Sequence, residues 1–282
     1  MKRLTAQNIT DTVRERFAQC ADPRLRTIMT ELIGHLHDFA RDVKLTPAEW
    51  MVAIRFLTDT GQKCDDKRQE FILLSDTLGL SALVDLLANR AVNPAATESS
   101  LLGPFFREGA PELELGSSIA RKVEGAGILV RGRVISVDQR AVTGATIDVW
   151  QASPMGTYDL QSANPEQMDL RARFRSDSEG RYYFRSVKAA SYPVPTDGPV
   201  GRMLNTVGRH PYRPAHIHFR IAATGYQPLT TALYIAGDKY LDSDAVFGSR
   251  SSLVVEYQPV AKRDQANGAE DSIEFDFVLE KA

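Results

Sequence analysis

Two histidines one residue apart, His216 and His218, stand in the run Arg213-Pro214-Ala215-His216-Ile217-His218-Phe219-Arg220, whose alternation is that of a β-strand. Successive side chains of a strand point to opposite faces, so residues two apart share a face and both imidazoles can reach one metal ion. The same spacing recurs at His35 and His37, but in a helical segment, where residues two apart point to nearly opposite sides. Two imidazoles are too few to hold a metal firmly, and no Glu or Asp stands at a familiar zinc-site spacing around them. Asp238, Asp242 and Asp244 follow along an acidic turn that needs no metal to explain it. Tyrosines are the more informative candidates: Tyr158 follows Gly156-Thr157 just after a strand, and Tyr192 opens a Pro-rich loop.

A phenol has an ordinary pKa near 10, so only a hard, strongly Lewis-acidic cation ligates it as phenolate at neutral pH. Ferric iron fits this better than zinc or ferrous iron. Two phenolates cancel two of its three charges, and one charge remains for hydroxide or an ionised substrate oxygen. A set of two histidines and two tyrosines therefore suits a ferric site that takes an acidic diol. Residue chemistry alone does not choose among the nine tyrosines. The histidine pair also suits one core and one surface imidazole, and Arg213, three residues before His216, suits either a pocket or a surface ion pair.

The elements that position these residues change character along the chain. Up to about residue 93 the apolar residues recur at helical spacing. Asp22-Pro23 opens a helix whose stripe is Leu25, Ile28, Met29, Leu32, Ile33, Leu36, Phe39 and Ala40, and Thr46-Pro47-Ala48-Glu49 is a capping box before a face of Trp50, Ala53, Ile54 and Leu57. A third helix is expected over 65–78 and a fourth from a cap at Ser81. Beyond Asn93-Pro94, strand-like runs at 128–137, 145–151, 181–187, 216–222, 229–236, 252–257 and 272–280 alternate with turn residues. The expected fold is mainly β: a helical N-terminal domain over 1–98 and an antiparallel β-sandwich over 99–282. The stretch 191–211, rich in Pro and Gly, reads as a long functional loop.

With 282 residues and a net charge of −2, the chain can bury a large core and carries no basic field for nucleic acid or anionic lipid. Residues 1–8 contain no apolar run of signal-peptide length, and Cys20 and Cys64 are far apart. Reduced thiols and a cytoplasmic location are the expectation.

Leu102-Gly103-Pro104-Phe105, Gly156-Thr157-Tyr158, Arg185-Ser186-Val187 leading to Tyr192, Arg213 through His218, and Ala236-Gly237-Asp238 stand in an order and spacing that resembles the intradiol ring-cleaving dioxygenases. The resemblance covers nearly the whole chain. Segments 192–201 and 241–248 look most like the hydroxyquinol 1,2-dioxygenase branch. It implies one Fe(3+) per subunit, held by Tyr158, Tyr192, His216 and His218. It also implies cleavage of hydroxyquinol by O2 to 3-hydroxy-cis,cis-muconate, which tautomerises to maleylacetate. Tyr192 is then expected to leave the metal and accept a substrate proton, and Arg213 to stabilise charge on the ring. The implied pocket is Leu73, Asp76, Thr77, Leu101, Leu102, Gly103, Pro104, Phe105, Val194, Pro195, Arg213 and Val246, with Ala232 where catechol-cleaving relatives tend to carry glutamine. A homodimer through the N-terminal helices, with lipid bound at that interface as in some relatives, is implied too. Competing readings are a catechol or chlorocatechol 1,2-dioxygenase, a zinc hydrolase and a non-catalytic β-sandwich binding module.

Overall fold

Asp22 and Thr46 start two helices by satisfying backbone N–H groups that a helix leaves unpaired. The Asp22 carboxylate accepts from the amides of Arg24 and Leu25 at 2.8 and 3.1 Å, and Pro23 takes the first helical position. Thr46 and Glu49 bond reciprocally, the Thr46 amide to Glu49 Oε2 at 2.9 Å and the Glu49 amide to Thr46 Oγ1 at 3.3 Å. The resulting α2 (Pro23–Asp42) and α3 (Pro47–Gln62) follow α1 (Ile9–Phe17). Helix α1 lies on α2, where Arg14 occupies the space that a Cβ at Gly34 would need and donates to Thr30 O at 2.8 Å.

The computed structural model describes residues 3–65, 68–88, 93–162, 164–260 and 268–282. The chain divides into two compact units, Met1–Asp59 and Thr60–Ala282. Helices α4 (Glu70–Thr77) and α5 (Leu80–Ala88) belong to the larger one. Helix α4 begins at Glu70 rather than near residue 65, and α5 at Leu80, where Ser81 bonds Ser75 Oγ at 2.9 Å instead of capping. In the smaller unit Ile33 is buried, but Trp50, Ala53, Ile54 and Leu57, expected to face a core, are exposed. Among the described residues no single helix is long and apolar enough to cross a membrane.

The larger unit holds twelve strands among the described residues: β1 (Gly127–Ser136), β2 (Thr146–Gln151), β3 (Arg171–Arg175), β4 (Arg181–Val187), β5 (Tyr192–Pro193), β6 (Tyr212–Arg213), β7 (His216–Ala222), β8 (Leu229–Ile235), β9 (Val254–Val255), β10 (Gln258–Pro259), β11 (Asp271–Glu274) and β12 (Phe277–Leu279). One sheet runs β10-β11-β1-β12 with β4 on the other edge of β1, a second runs β3-β2-β7-β8-β9, and β5 pairs only with β6. The core lies between the two large sheets. Val130, Val134, Phe184, Ile273 and Phe277 of the first pack with Ile147, Val149, Phe174, Ile217, Phe219 and Leu233 of the second.

The sheets are mixed, which corrects the antiparallel expectation. β1 runs parallel to β11 and β12, and β8 parallel to β9. The reason is that β4 takes one edge of β1 as an antiparallel partner, and the C-terminal segment fills the other edge in the direction of β1. The single strand expected over 272–280 is two, β11 and β12, in one continuous register against β1. Between them Phe275 O accepts from Tyr182 Oη at 2.8 Å, and the Asp276 carboxylate accepts from the Arg133 amide at 2.8 Å. A Cβ at Gly132 would lie 1.8 Å from Phe275 O. Gly132→Ala is therefore expected to cost about 1–3 kcal/mol through backbone displacement, read as a thermal midpoint several degrees lower; an unchanged midpoint would show that this approach relaxes freely.

Three further segments depart from expectation. The run 252–257 is a 3₁₀ turn, Ser251–Leu253, followed by the short β9. β3 carries no strand signature because its sequence, Arg-Ala-Arg-Phe-Arg, is charged; Arg171 and Arg173 pair with Asp159 and Asp148. Within the loop 191–211 lies a helix, α6 (Pro199–Thr206), with Pro199 at its first position and the Val200 amide donating to Glu70 Oε1 at 3.2 Å.

Candidate active site

Strand β7 carries His216 and His218 on one face, as the strand period requires, and both are 1% exposed. Their Nε2 atoms stand 3.0 Å apart. His216 Nδ1 lies 2.7 Å from Pro214 O; a carbonyl only accepts, so this nitrogen carries the hydrogen and Nε2 keeps its lone pair. His218 stacks on Trp150, its neighbour across β2, with centroids 4.7 Å apart and planes 4° from parallel. Its Nδ1 has no hydrogen-bond partner among the described residues.

The two tyrosines arrive from separate segments. Tyr192 lies on β5 directly opposite Arg213 on β6. Tyr158 ends a turn in which Gly156 has φ +75° and leaves only 3.1 Å between its would-be Cβ and the Cβ of Tyr192; a side chain there would strain the backbone and push the tyrosines apart. The phenol oxygens of Tyr158 and Tyr192 are 3.4 Å apart, and both rings are buried. Arg213 Nη1 joins the two pairs, at 3.3 Å from Tyr192 Oη and 3.2 Å from His216 Nε2. The four residues named from the sequence are thus brought together, whereas His35 is exposed and His37 bonds Thr10.

These donors suit a cation. Ligands about 2.1 Å from one centre stand about 3.0 Å apart at a right angle and about 3.4 Å apart at the tetrahedral angle. No group of three His, Cys, Asp or Glu comes together among the described residues, so a metal site here must use the phenols. Burial, then the charge of Arg213, pushes the His216 imidazole down to about 3. Burial, then His216, holds His218 well below its usual range. Both are neutral, as ligation demands. Burial, then Tyr192, pushes the Tyr158 phenol well above its ordinary value, so only a bound cation makes it a phenolate near neutrality.

The histidine shift has a measurable sign. The unfolded imidazole binds a proton near pH 6.5, and the folded His216 does not until about 3. Protons therefore favour the unfolded chain, and stability is present above pH 6.5 and lost as pH falls toward 3. Metal-free protein should show a thermal midpoint that declines across this window, with a shallower decline in His216→Gln; a midpoint flat between pH 6.5 and 4 would contradict the burial of neutral imidazoles.

A cavity of about 220 Å³ adjoins the donors, below the roughly 300–1,000 Å³ of sites for drug-sized ligands and thus scaled to a single-ring molecule. It is lined by Leu73, Asp76, Leu101, Gly103, Pro104, Phe105, Tyr192, Val194, Pro195, Arg213 and Val246, all singled out from the sequence. Three others do not line it. Thr77 is wholly buried with its hydroxyl on Leu74 O, Leu102 is exposed, and Ala232 is enclosed beside His218 among Tyr234 and Leu253. Arg68, Gln69, Glu70, Ile72, Leu160 and Gln161 complete the lining; no motif marks them in the sequence, and folding alone brings them to the space that Leu73 and Asp76 share. A larger cavity of about 680 Å³, bounded by Arg209, His210, Ser243, Phe247 and Arg250, contains none of the four donors.

Asp244, read from the sequence as part of an acidic turn, is 4% exposed and anchors Arg213: Oδ1 accepts from Nε at 3.1 Å and Oδ2 from Nη2 at 3.3 Å. The amides of Val246 and Gly248 also donate to it, at 3.2 and 3.0 Å. Burial alone would weaken the charge on Arg213, and Asp244 overrides it. The result is a fixed, dry cation beside two neutral imidazoles and two phenols, an arrangement suited to stabilising negative charge.

Residues 101–281 match the family model described as Dioxygenase, and residues 22–96 the one described as Catechol dioxygenase N terminus. The 6-chlorohydroxyquinol 1,2-dioxygenase of Cupriavidus pinatubonensis is 48% identical over 279 residues, covering 99% of each chain. The catechol 1,2-dioxygenase of Candida albicans is 35% identical, over 92% of this chain and 87% of its own. The solved hydroxyquinol 1,2-dioxygenase of Pseudomonas putida DLL-E4 superposes with a TM-score of 0.91 at 46% identity, covering 98% of this chain and 99% of the other. With nearly its whole length matched, and with two imidazoles and two phenols gathered beside a small cavity, the chain belongs to the intradiol ring-cleavage dioxygenases.

Proposed function

We propose that this protein is a ferric, non-haem hydroxyquinol 1,2-dioxygenase, in which Tyr158, Tyr192, His216 and His218 hold one Fe(3+) per subunit. The observation that carries the reading is the convergence of those four donors beside a single-ring cavity. The higher identity to relatives that act on hydroxyquinols than to the catechol enzyme favours the triol over catechol. A bound ferric ion supplies the Lewis acidity that ionises the diol and leaves the ring electron-rich toward O2. Tyr192, on the cavity wall, accepts a substrate proton. Arg213 holds the negative charge that develops on the ring. Asp76, 8% exposed and with its carboxyl pushed up by burial, bonds the third hydroxyl. The ring opens between the two oxygen-bearing carbons, and 3-hydroxy-cis,cis-muconate passes to maleylacetate.

The partners are the triol, O2 and a second copy of the chain. Leu25, Ile28, Leu32, Leu36 and Phe39 of α2 form an exposed apolar stripe, which joins two copies and takes up a lipid chain. With both Cys20 and Cys64 unpaired, the reaction is assigned to the cytoplasm. Oxygen uptake by iron-loaded protein tests the reading. Consumption should be faster with hydroxyquinol than with catechol, and the protein should be coloured, because ferric tyrosinate absorbs visible light. A preference for catechol would overturn the substrate alone; a colourless, inactive protein after iron loading would overturn the dioxygenase.

A further inference from the structure

Tyr158 has no regular element of its own to hold it. It precedes a single 3₁₀ turn, Asp159–Gln161, and its hydroxyl has one long partner in Tyr192. Besides the edge of Tyr192, with centroids 5.3 Å apart, two neighbours hold its ring. Phe105 stacks on it with centroids 4.1 Å apart and planes 15° from parallel, and the adjacent Asp159 is anchored in the interior. Both anchors lead to one side chain. Arg171 donates from Nε to Asp159 Oδ2 at 2.6 Å, from Nη2 to Asp159 Oδ1, and from Nη1 to Phe105 O at 3.0 Å. It is 2% exposed and lies on β3 directly opposite Trp150, the residue that stacks on His218.

We infer that Arg171 is a positioning residue for the metal centre: its guanidinium ties the residue after Tyr158 to the backbone of the ring stacked on Tyr158. The inference rests on the proposed ferric site and goes beyond it, since Arg171 touches neither donor atoms nor cavity. Only the planar fork of arginine makes a bidentate carboxylate pair and a third bond in another direction; a lysine ammonium is a single point charge. A buried ion pair that served stability alone would lower the melting temperature when altered and leave the donors as they were.

The test uses full-length protein and Arg171→Lys. Ferric iron is titrated in, its affinity is measured by competition with a chelator, and the tyrosinate-to-ferric signature is read by visible absorption and resonance Raman. Loss of outer partners of metal ligands costs about 10–100-fold in affinity, and a drop in that range with an altered signature from one of the two tyrosinates is expected. If Arg171→Lys does not fold, the paired substitution Asp159→Asn with Arg171→Gln, which removes both members of the buried pair and leaves Arg107, 3.6 Å from Asp159, its bond to Pro165 O, carries the same expectation. Folded variants with wild-type iron affinity and signature would overturn the inference. So would failure of both variants to fold, because the guanidinium would then be a requirement of the sheet rather than of Tyr158. A wild-type protein that shows no visible band with ferric iron would instead defeat the reading of the site.

Discussion

Tyr158→Phe is expected to abolish ring cleavage while leaving the fold intact. The hydroxyl it removes makes one hydrogen bond of 3.4 Å in a fully buried position, so its loss frees the protein of a poorly satisfied polar group. Deleting such a group is close to neutral for stability, and the melting temperature of metal-free protein should stay the same or rise. Iron binding should behave in the opposite way. One phenolate of two disappears, and with it one of the two charges that favour ferric iron. Affinity should fall by more than the about 10–100-fold that outer-partner losses cost, and oxygen uptake should fall with it. Calorimetry and iron analysis on the same preparation measure both. Full iron content with normal turnover would mean that Tyr158 is a packing residue and the donor set is wrong.

Arg213→Met should damage both stability and turnover, and the two effects can be separated. Removing the guanidinium leaves Asp244 buried and unpaired, a change worth about 3–5 kcal/mol. At about 2–4 °C per kcal/mol for a chain of this size, the melting temperature should drop by roughly 6–20 °C. Loss of a preorganised charge aimed at the developing anion costs about 10²–10³ in kcat. Adding Asp244→Asn removes the stranded charge, so stability should largely return and turnover should not. Iron content should change little in either variant. Recovery of kcat in the double variant would show that Arg213 acts only through Asp244 and the fold, and not on the substrate.

The histidine pair was legible because strand periodicity is local: seven residues of alternation place His216 and His218 on one face whatever lies around them. The helix caps at Asp22 and Thr46 were legible for the same reason, since each is made within three residues. Local pattern failed where charge hid burial, as in β3, and where a loop drew its partner from a distant helix, as α6 draws on Glu70. It also failed at Trp50, Ile54 and Leu57, whose helical spacing marks an apolar face without saying what covers it.

Alone, the amino-acid order determined the change from helices to strands along the chain, the strand that carries the imidazoles, the chemistry that two phenols would bring, and the family likeness. Tertiary structure decided direction and partnership: that β1 has parallel neighbours, that Asp244 and not solvent faces Arg213, and that Arg171 reaches both Asp159 and Phe105. The physical reason is range. Backbone periodicity and capping act over a few residues, whereas these ion pairs and sheet edges join segments far apart in sequence, and burial sets their strength.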